Sequence, residues 1–244
     1  MEELYDACRA LYESAFGCEP RDWNDALFRL AFPRYLRVIK DGDKPVSMLF
    51  SIPYPIQMGD KLTPARYMYA VATDPAYRGR GLATRLIGEE IARGECVFLR
   101  PSSESLFGFY EKAGLAPFSP VLTCEGEAQE SAFEGFQALS PTEYLAARER
   151  FLKPPFAVPD ESFLTLGFLY GGALALEGEF VTLWERHGEK IYFKEWLGNR
   201  DFAPRAAAFL GGRHYRLRTP SRGGMPFGVG ANLPSELAFL IALD

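Results

Sequence analysis

The chain has 244 residues, 48% of them hydrophobic and 14% aromatic, with a net charge of -5. That length admits one large or two small domains, and the acidic balance argues against the broad basic face that nucleic-acid binders carry. No stretch approaches the roughly 18 apolar residues of a membrane span, and the acidic start Met1-Glu2-Glu3 is unlike an export signal, so a cytoplasmic protein with no membrane or nucleic-acid partner is expected. Cys8, Cys18, Cys96 and Cys124 form no C-x-x-C pair and lie far from His187 and His214, a spacing that predicts neither a metal site nor a disulfide framework.

Leu4, Ala7, Cys8 and Leu11 fall at helical spacing, and Ala26, Leu27, Leu30 and Ala31 repeat it after the Gly17 to Pro20 break, so two amphipathic helices are predicted up to Phe32. Tyr35 to Lys40 and Val46 to Pro53 read as strands joined by an Asp-Gly turn, a hairpin signal. Tyr67 to Thr73 is a mostly apolar strand suited to the middle of a sheet. A turn, Arg78-Gly79-Arg80-Gly81, then leads into a helix from Leu82 to Ala92 whose Leu82, Leu86, Ile87 and Ile91 share one face. Cys96 to Leu99 reads as a strand and Leu106 to Ala113 as a helix stopped by Gly114, which completes a βαβα unit.

A loose division of the chain is expected between about Glu125 and Ser140. Beyond it, Ser140 and Glu143 form a capping-box pair opening a helix from Pro141 to Leu152. An apolar, helical Ser162 to Tyr170 follows, with strands at Ala173 to Leu176, Phe180 to Arg186, Ile191 to Trp196, Tyr215 to Thr219 and Leu237 to Leu243, and a helix at Phe202 to Leu210. Strand, helix, strand recurs, which points to an internal duplication whose second copy lacks the glycine-rich turn.

The Arg78 turn is an anion site in outline. A helix N-terminus exposes unpaired N–H groups and a partial positive charge; Gly79 and Gly81 clear the approach, and Arg78 and Arg80 add cationic forks. Arg78-x-x-Gly81-x-Ala83 after a buried strand resembles the signature of the GCN5-related N-acetyltransferase (GNAT) superfamily, and Phe109-Tyr110-Glu111-Lys112-Ala113-Gly114-Leu115 is similar to a second segment of that family, with Leu115 where phenylalanine is usual. The resemblance implies an α/β (α+β) GNAT fold with a mixed central sheet, in a two-lobed bacterial type: a catalytic domain over residues 1–130 and a degenerate GNAT-like lobe over 131–244. It implies acetyl-CoA as cosubstrate with its pyrophosphate on Arg78, Gly79, Arg80, Gly81, Leu82 and Ala83. The resemblance also implies that a strand bulge puts Val71 and Thr73 at the pantetheine and thioester oxygen, and that Tyr110 protonates the departing thiolate. Ser103 stands where many members carry an asparagine that contacts CoA.

The implied reaction is acetyl transfer to a small-molecule or peptide amine, without metal and with room for homo-oligomerisation; a non-catalytic acyl-CoA-binding module is the alternative. The acceptor and the general base are not legible. Glu104 is one candidate base, and Tyr35, Tyr54, Tyr67 and Tyr69 are candidates for the acceptor pocket or for the core. The distant enhanced-intracellular-survival acetyltransferases use a C-terminal carboxylate as base, which makes Asp244 a further candidate.

Overall fold

The structure, a computed structural model, describes residues 1–18, 20–130 and 135–242. Its first half runs α1 (Glu2–Phe16), α2 (Arg21–Ala31), β1 (Leu36–Asp41), β2 (Lys44–Pro53), β3 (Ile56–Met58), β4 (Lys61–Thr63), β5 (Ala65–Thr73), α3 (Leu82–Ile91), β6 (Cys96–Leu99), α4 (Phe107–Lys112) and β7 (Ala116–Glu127). The second half adds β8 (Gln137–Leu139), α5 (Pro141–Glu149), β9 (Phe156–Ala157), α6 (Glu161–Leu164), β10 (Gly171–Leu176), β11 (Phe180–His187), β12 (Lys190–Gly198), α7 (Ala203–Phe209), β13 (His214–Pro220) and β14 (Met225–Ala231).

The hairpin of β1 and β2 closes on the pair Asp41 and Lys44, with Gly42 in the left-handed region at φ 59°. β2 is buried from Pro45 to Ile52 because both of its faces are covered. The Phe50 ring meets Phe28 of α2 edge-on at 5.4 Å, while the next side chain, Ser51, hydrogen-bonds Glu90 of α3. Successive strand residues point to opposite faces, so α2 and α3 sandwich the sheet between them. Glu90 is almost fully buried and also accepts from Arg37 Nε at 2.8 Å and pairs with Arg93 at 3.1 Å. A buried carboxylate needs such partners, and they fix α3 against β1 and β2.

In the second half the Ser140 and Glu143 capping box forms as its sequence predicts. Arg148 on α5 is buried with Glu195 of β12, 2.7 Å from its carboxylate, and donates to the Ala157 carbonyl at 2.9 Å. These bonds tie α5 to β12 and β9.

One sheet of eleven strands runs in the order β1-β2-β5-β6-β14-β7-β13-β12-β11-β10-β8. β1, β2 and β5 are antiparallel neighbours, and β5 pairs in parallel with β6 across the α3 connection. β10, β11 and β12 repeat this, with β12 parallel to β13 across α7. The last strand of each unit is exchanged: β14 pairs with β6, β7 pairs with β13, and the two lie side by side. The mixed sheet is thus a duplicated arrangement in which each half is continued by the other's final strand.

One sequence expectation is corrected. Over its described part, residues 237–242, the expected closing strand is buried coil with one isolated bridge, Phe156 to Ala238. Side chains satisfy its backbone instead: Tyr54 Oη donates to the Ile241 carbonyl at 2.8 Å, and Ser119 Oγ both donates to the Phe239 carbonyl at 2.7 Å and accepts from its N–H at 2.9 Å. An apolar run specifies burial without specifying a ladder. Conversely β14, Met-Pro-Phe-Gly-Val-Gly-Ala, escapes sequence reading because proline and glycine depress strand character. β7 runs to Glu127, into the region where the loose division of the chain is expected, of which residues 131–134 lie outside the described part.

The exchange predicts that residues 1–130 expressed alone, lacking β14 between β6 and β7, show no cooperative thermal transition by circular dichroism under conditions where the full chain melts cooperatively. A sharp melt of the fragment would show that β6 and β7 close on each other.

Candidate active site

β5 carries an irregularity at its centre. Met48 of β2 pairs with Ala72, but Phe50 pairs with Tyr69, so β5 uses one more residue than β2 over the same span. Ala70 there adopts φ 54°, an uncommon conformation for a residue with a Cβ, and the geometry of a bulge. On its other edge β5 pairs with β6 only through Ala65 to Cys96, Arg66 to Val97 and Tyr67 to Phe98. Past Tyr67 the strands part. A cavity of about 770 Å³ fills the fork, its wall running from Tyr67 to Thr73 along β5, from Leu99 to Ser102 beyond β6, and taking Ala15 and Phe16 from α1.

The α3 turn forms one end of this cavity. Asp74 accepts the Ala76 N–H at 2.9 Å and caps a 3₁₀ turn, Pro75–Tyr77, from which the chain enters Arg78 to Gly81. Gly79 at φ 76° and Gly81 at φ 73° are both left-handed, and a Cβ on either would meet nothing within 4 Å. Conformation therefore demands glycine there, while the space in front stays open. The first helical bond is Arg85 N–H to the Gly81 carbonyl at 2.9 Å, and no side chain caps the helix start. The N–H groups of Leu82, Ala83 and Thr84 thus have no helical acceptor, and these three residues line the cavity with Arg78, Gly79 and Gly81.

Val71 and Thr73 also lie on the wall. Arg78 is held at the turn by its Nε donating to the Thr73 carbonyl at 3.3 Å. Arg80 is not in the wall: Nη2 donates to the Ala76 carbonyl at 3.2 Å and the guanidinium sits 4.7 Å over the Tyr77 ring. Ser103 lies off this wall as well, 2.8 Å from Ser105 Oγ, and lines a second cavity.

Tyr110, on α4, lines the first cavity and is 7% exposed. Burial pushes its phenol up to about 12, so it is protonated at neutral pH. Gly114, at φ 93°, turns the chain after α4 so that the Leu115 N–H bonds back to the Tyr110 carbonyl at 3.1 Å, and buried Leu115 anchors that end. The sequence-selected Val71, Thr73, Arg78, Gly79, Gly81, Leu82, Ala83 and Tyr110 are therefore brought to one cavity wall, and Arg80 and Ser103 are not.

The second cavity, about 420 Å³, shares Arg100, Pro101 and Ser102 with the first and draws the rest of its wall from both halves, Glu104 among them. Lys194, Glu185, Arg216 and Arg218 belong to it, and none carries a sequence signal, because only the pairing of β11, β12 and β13 gathers them. Of the four tyrosines considered, Tyr67 and Tyr69 line the first cavity, Tyr54 is core, and Tyr35 packs on Phe163 at 5.9 Å. His187 ends β11 at a turn through Gly188 and His214 opens β13. Among the described residues no group of three or more His, Cys, Asp or Glu is arranged to hold a metal, and no helix is long and apolar enough to cross a membrane. Asp244 lies outside the described residues.

Residues 1–118, which contain the whole wall of the first cavity, match the family described as acetyltransferase (GNAT) domain. The N-terminal half belongs to the GNAT family. No curated protein matches the chain. Among solved structures, a protein of Enterococcus faecalis V583 described as a probable N-acyltransferase superposes with a TM-score of 0.68 at 14% identity, covering 94% of this chain and 70% of that one. A GCN5-related N-acetyltransferase from Anabaena variabilis gives 0.67 at 15% identity with the same coverages. Eis1 from Mycobacterium abscessus gives 0.52 at 14% identity over 86% of this chain and 64% of that one. At such identities the likeness is one of fold, and it takes in the second half of the chain as well as the GNAT domain.

Gly81→Ala places a Cβ at a left-handed position next to the uncapped start of α3. With CoA as a phosphate-bearing probe, it is expected to weaken binding at this turn about tenfold, a cost near 1.4 kcal/mol, measured by titration calorimetry on protein whose circular dichroism is unchanged. Unaltered affinity would remove the turn from the binding site.

Proposed function

We propose that the protein is an N-acetyltransferase that moves the acetyl group of acetyl-CoA to an amine by direct attack in a ternary complex. GNAT membership supports acyltransferase chemistry in general; the observation that carries the specific reading is the fork between β5 and β6, with an anion-binding helix start at one end and a buried tyrosine on the same wall. In this reading residues 1–130 form the donor-binding domain and residues 131–244 a degenerate GNAT-like lobe.

The pyrophosphate rests on the N–H groups of Leu82, Ala83 and Thr84, with Arg78 beside it and Gly79 and Gly81 allowing close approach. Arg80 reaches it only by leaving the Ala76 carbonyl and the Tyr77 ring. The pantetheine lies along Val71 to Thr73, whose edge is unpaired with β6 beyond Tyr67, and Ser103 stays at the rim toward the second cavity. A backbone N–H of the bulge serves the thioester oxygen.

The neutral amine attacks the thioester carbonyl carbon, forming a C–N bond and placing negative charge on oxygen, which the bulge N–H stabilises. Collapse breaks the C–S bond, and the thiolate takes the Tyr110 proton. The proton lost by the amine passes through water to the Tyr110 phenolate, so the products are the amide and free CoA thiol. A free thiol has a pKa of about 8.5, below that of Tyr110, so the transfer needs the site to raise the thiolate's basicity as well. Burial at the base of the fork acts in that direction.

Tyr110→Phe is expected to lower kcat by roughly 10²-fold with CoA affinity retained. Because the protonated phenol is the working form and its pKa is about 12, kcat should show no basic limb from Tyr110 up to about pH 11. A basic limb near pH 9 that Tyr110→Phe abolishes, or a full kcat in that variant, would overturn the assignment, and CoA binding with no turnover on any amine would leave a non-catalytic module.

A further inference from the structure

The second cavity has an ordered floor. Register across four strands places Glu185 of β11 beside Tyr192 of β12, Tyr192 beside Arg216 of β13, and Arg216 beside Glu125 of β7. The next row holds Arg218 beside Thr123, and Lys194 enters at a second bulge, where Leu183 pairs with Glu195 but Trp184 pairs with Phe193. The rim is the Arg100 to Glu104 segment, which leaves the end of β6 and whose Arg100, Pro101 and Ser102 also line the first cavity.

In a chain of net charge -5, the described wall carries Arg100, Lys194, Arg216 and Arg218 against Glu104 and Glu185. Lys194 is paired with Glu185 at 2.8 Å. Arg100 and Arg218 lie 4.9 and 4.3 Å from the centre of one ring, Phe227, so two guanidiniums share a platform. They also feel their neighbours: burial first, then Arg100 and Arg216, push Arg218 down to about 9. The acid that faces Arg216 is Glu125 at 3.7 Å, a pair whose side chains are both more than half exposed. A solvated pair at that distance is weak and exchangeable, whereas a carboxylate or phosphate entering from the cavity meets a planar fork built for it.

We propose that this cavity is the acceptor subsite and that it selects amines carrying an acidic group, a carboxylate or a phosphate, held by Arg216 in the field of Arg100 and Arg218, with the amine directed to the shared wall at Arg100 to Ser102. This rests on the acetyltransferase reading and adds the substrate class. The acceptor is a small, doubly functional molecule rather than an apolar amine: the amine attacks the donor in the first cavity while the acidic end stays on β13. The cavity's volume of about 420 Å³ fits a ligand of amino-acid to short-peptide size.

The test uses the full chain with acetyl-CoA and matched amines, L-alanyl-L-alanine against its C-terminal amide and O-phosphoethanolamine against ethanolamine, read as thiol release. The acidic member of at least one pair is expected to have a kcat/KM about tenfold higher or more, and the responding pair names carboxylate or phosphate as the group recognised. Arg216→Gln should move the acid-to-neutral ratio toward one, and Arg216→Lys should restore part of it. Equal use of both members of both pairs overturns the inference and leaves the transferase reading intact. Calorimetry gives a readout independent of turnover: N-acetyl-L-alanyl-L-alanine or O-phosphoethanolamine is expected to bind the wild type, with or without CoA, and to lose affinity in Arg216→Gln. Absence of binding, or equal binding by the variant, overturns the proposal. Failure to bind CoA instead overturns the reading on which it rests.

Discussion

After Tyr67 and Phe98 have paired, β5 and β6 share no further hydrogen bond, and the first cavity depends on that parting. Two central strands left unpaired expose backbone groups that must find other partners. The bulge at Ala70 begins the divergence by turning β5 out of register with β2. At its base the fork is wedged by aromatic packing: Phe239 lies 4.9 Å from Phe98 and 5.5 Å from Tyr67, and Tyr54 lies 5.5 Å from Phe98. Those rings come from both halves of the chain. The second half therefore helps hold open a cavity whose wall it does not enter.

The duplicated unit throws light on why one half has an open glycine turn at its fork and the other lacks one. β12 repeats the bulge, and β12 parts from β13 after Phe193 and Leu217. What differs is the connection that follows. In the first half Arg78 to Gly81 delivers two left-handed glycines and an uncapped helix start. In the second, Asn199 accepts from the Asp201 N–H to cap a 3₁₀ turn, and a proline stands in the first turn of α7. There the 3₁₀ turn runs straight into α7 with no glycines between, and the proline takes one N–H from the helix start. The second copy keeps the fork without the cradle, and its sheet face serves the cavity between the halves.

Local features were legible in the sequence. The spacing of Leu4 to Leu11, the Asp-Gly hairpin, the Ser140 and Glu143 capping box and the glycine turn each owe their form to neighbours in sequence, and each is found. Val71, Thr73, the glycine turn and Tyr110 were recoverable because they lie in one contiguous stretch of chain, whereas Ala15 and Phe16 reach the same wall from α1 without a sequence signal. The Arg100, Arg216 and Arg218 cluster was not, since it exists only through the ladder that sets β13 beside β12 and β7. Arg80 shows a different limit: pattern selects the residue type, but a nearby carbonyl and an aromatic ring decide where its guanidinium points. β14 went unread, and the coil at 237–242 was expected as a strand, for one reason. Strand pairing is a property of what lies alongside, and Ser119 and Tyr54 supply by side chain what a neighbouring strand would otherwise supply.

The exchange of β7 and β14 also sets a schedule for synthesis. β6 ends at Leu99 while the strand that must lie against it begins at Met225, so the contact order at the middle of the sheet is high. As the chain emerges, the GNAT domain offers an unfilled gap edged by β6 and β7, an interval in which a neighbouring nascent chain's β14 could enter in place of its own. Intramolecular closure wins by proximity only once residues up to Ala231 are available. The same topology that lets the two halves share one core makes the last strand the arbiter between a closed monomer and intertwined copies.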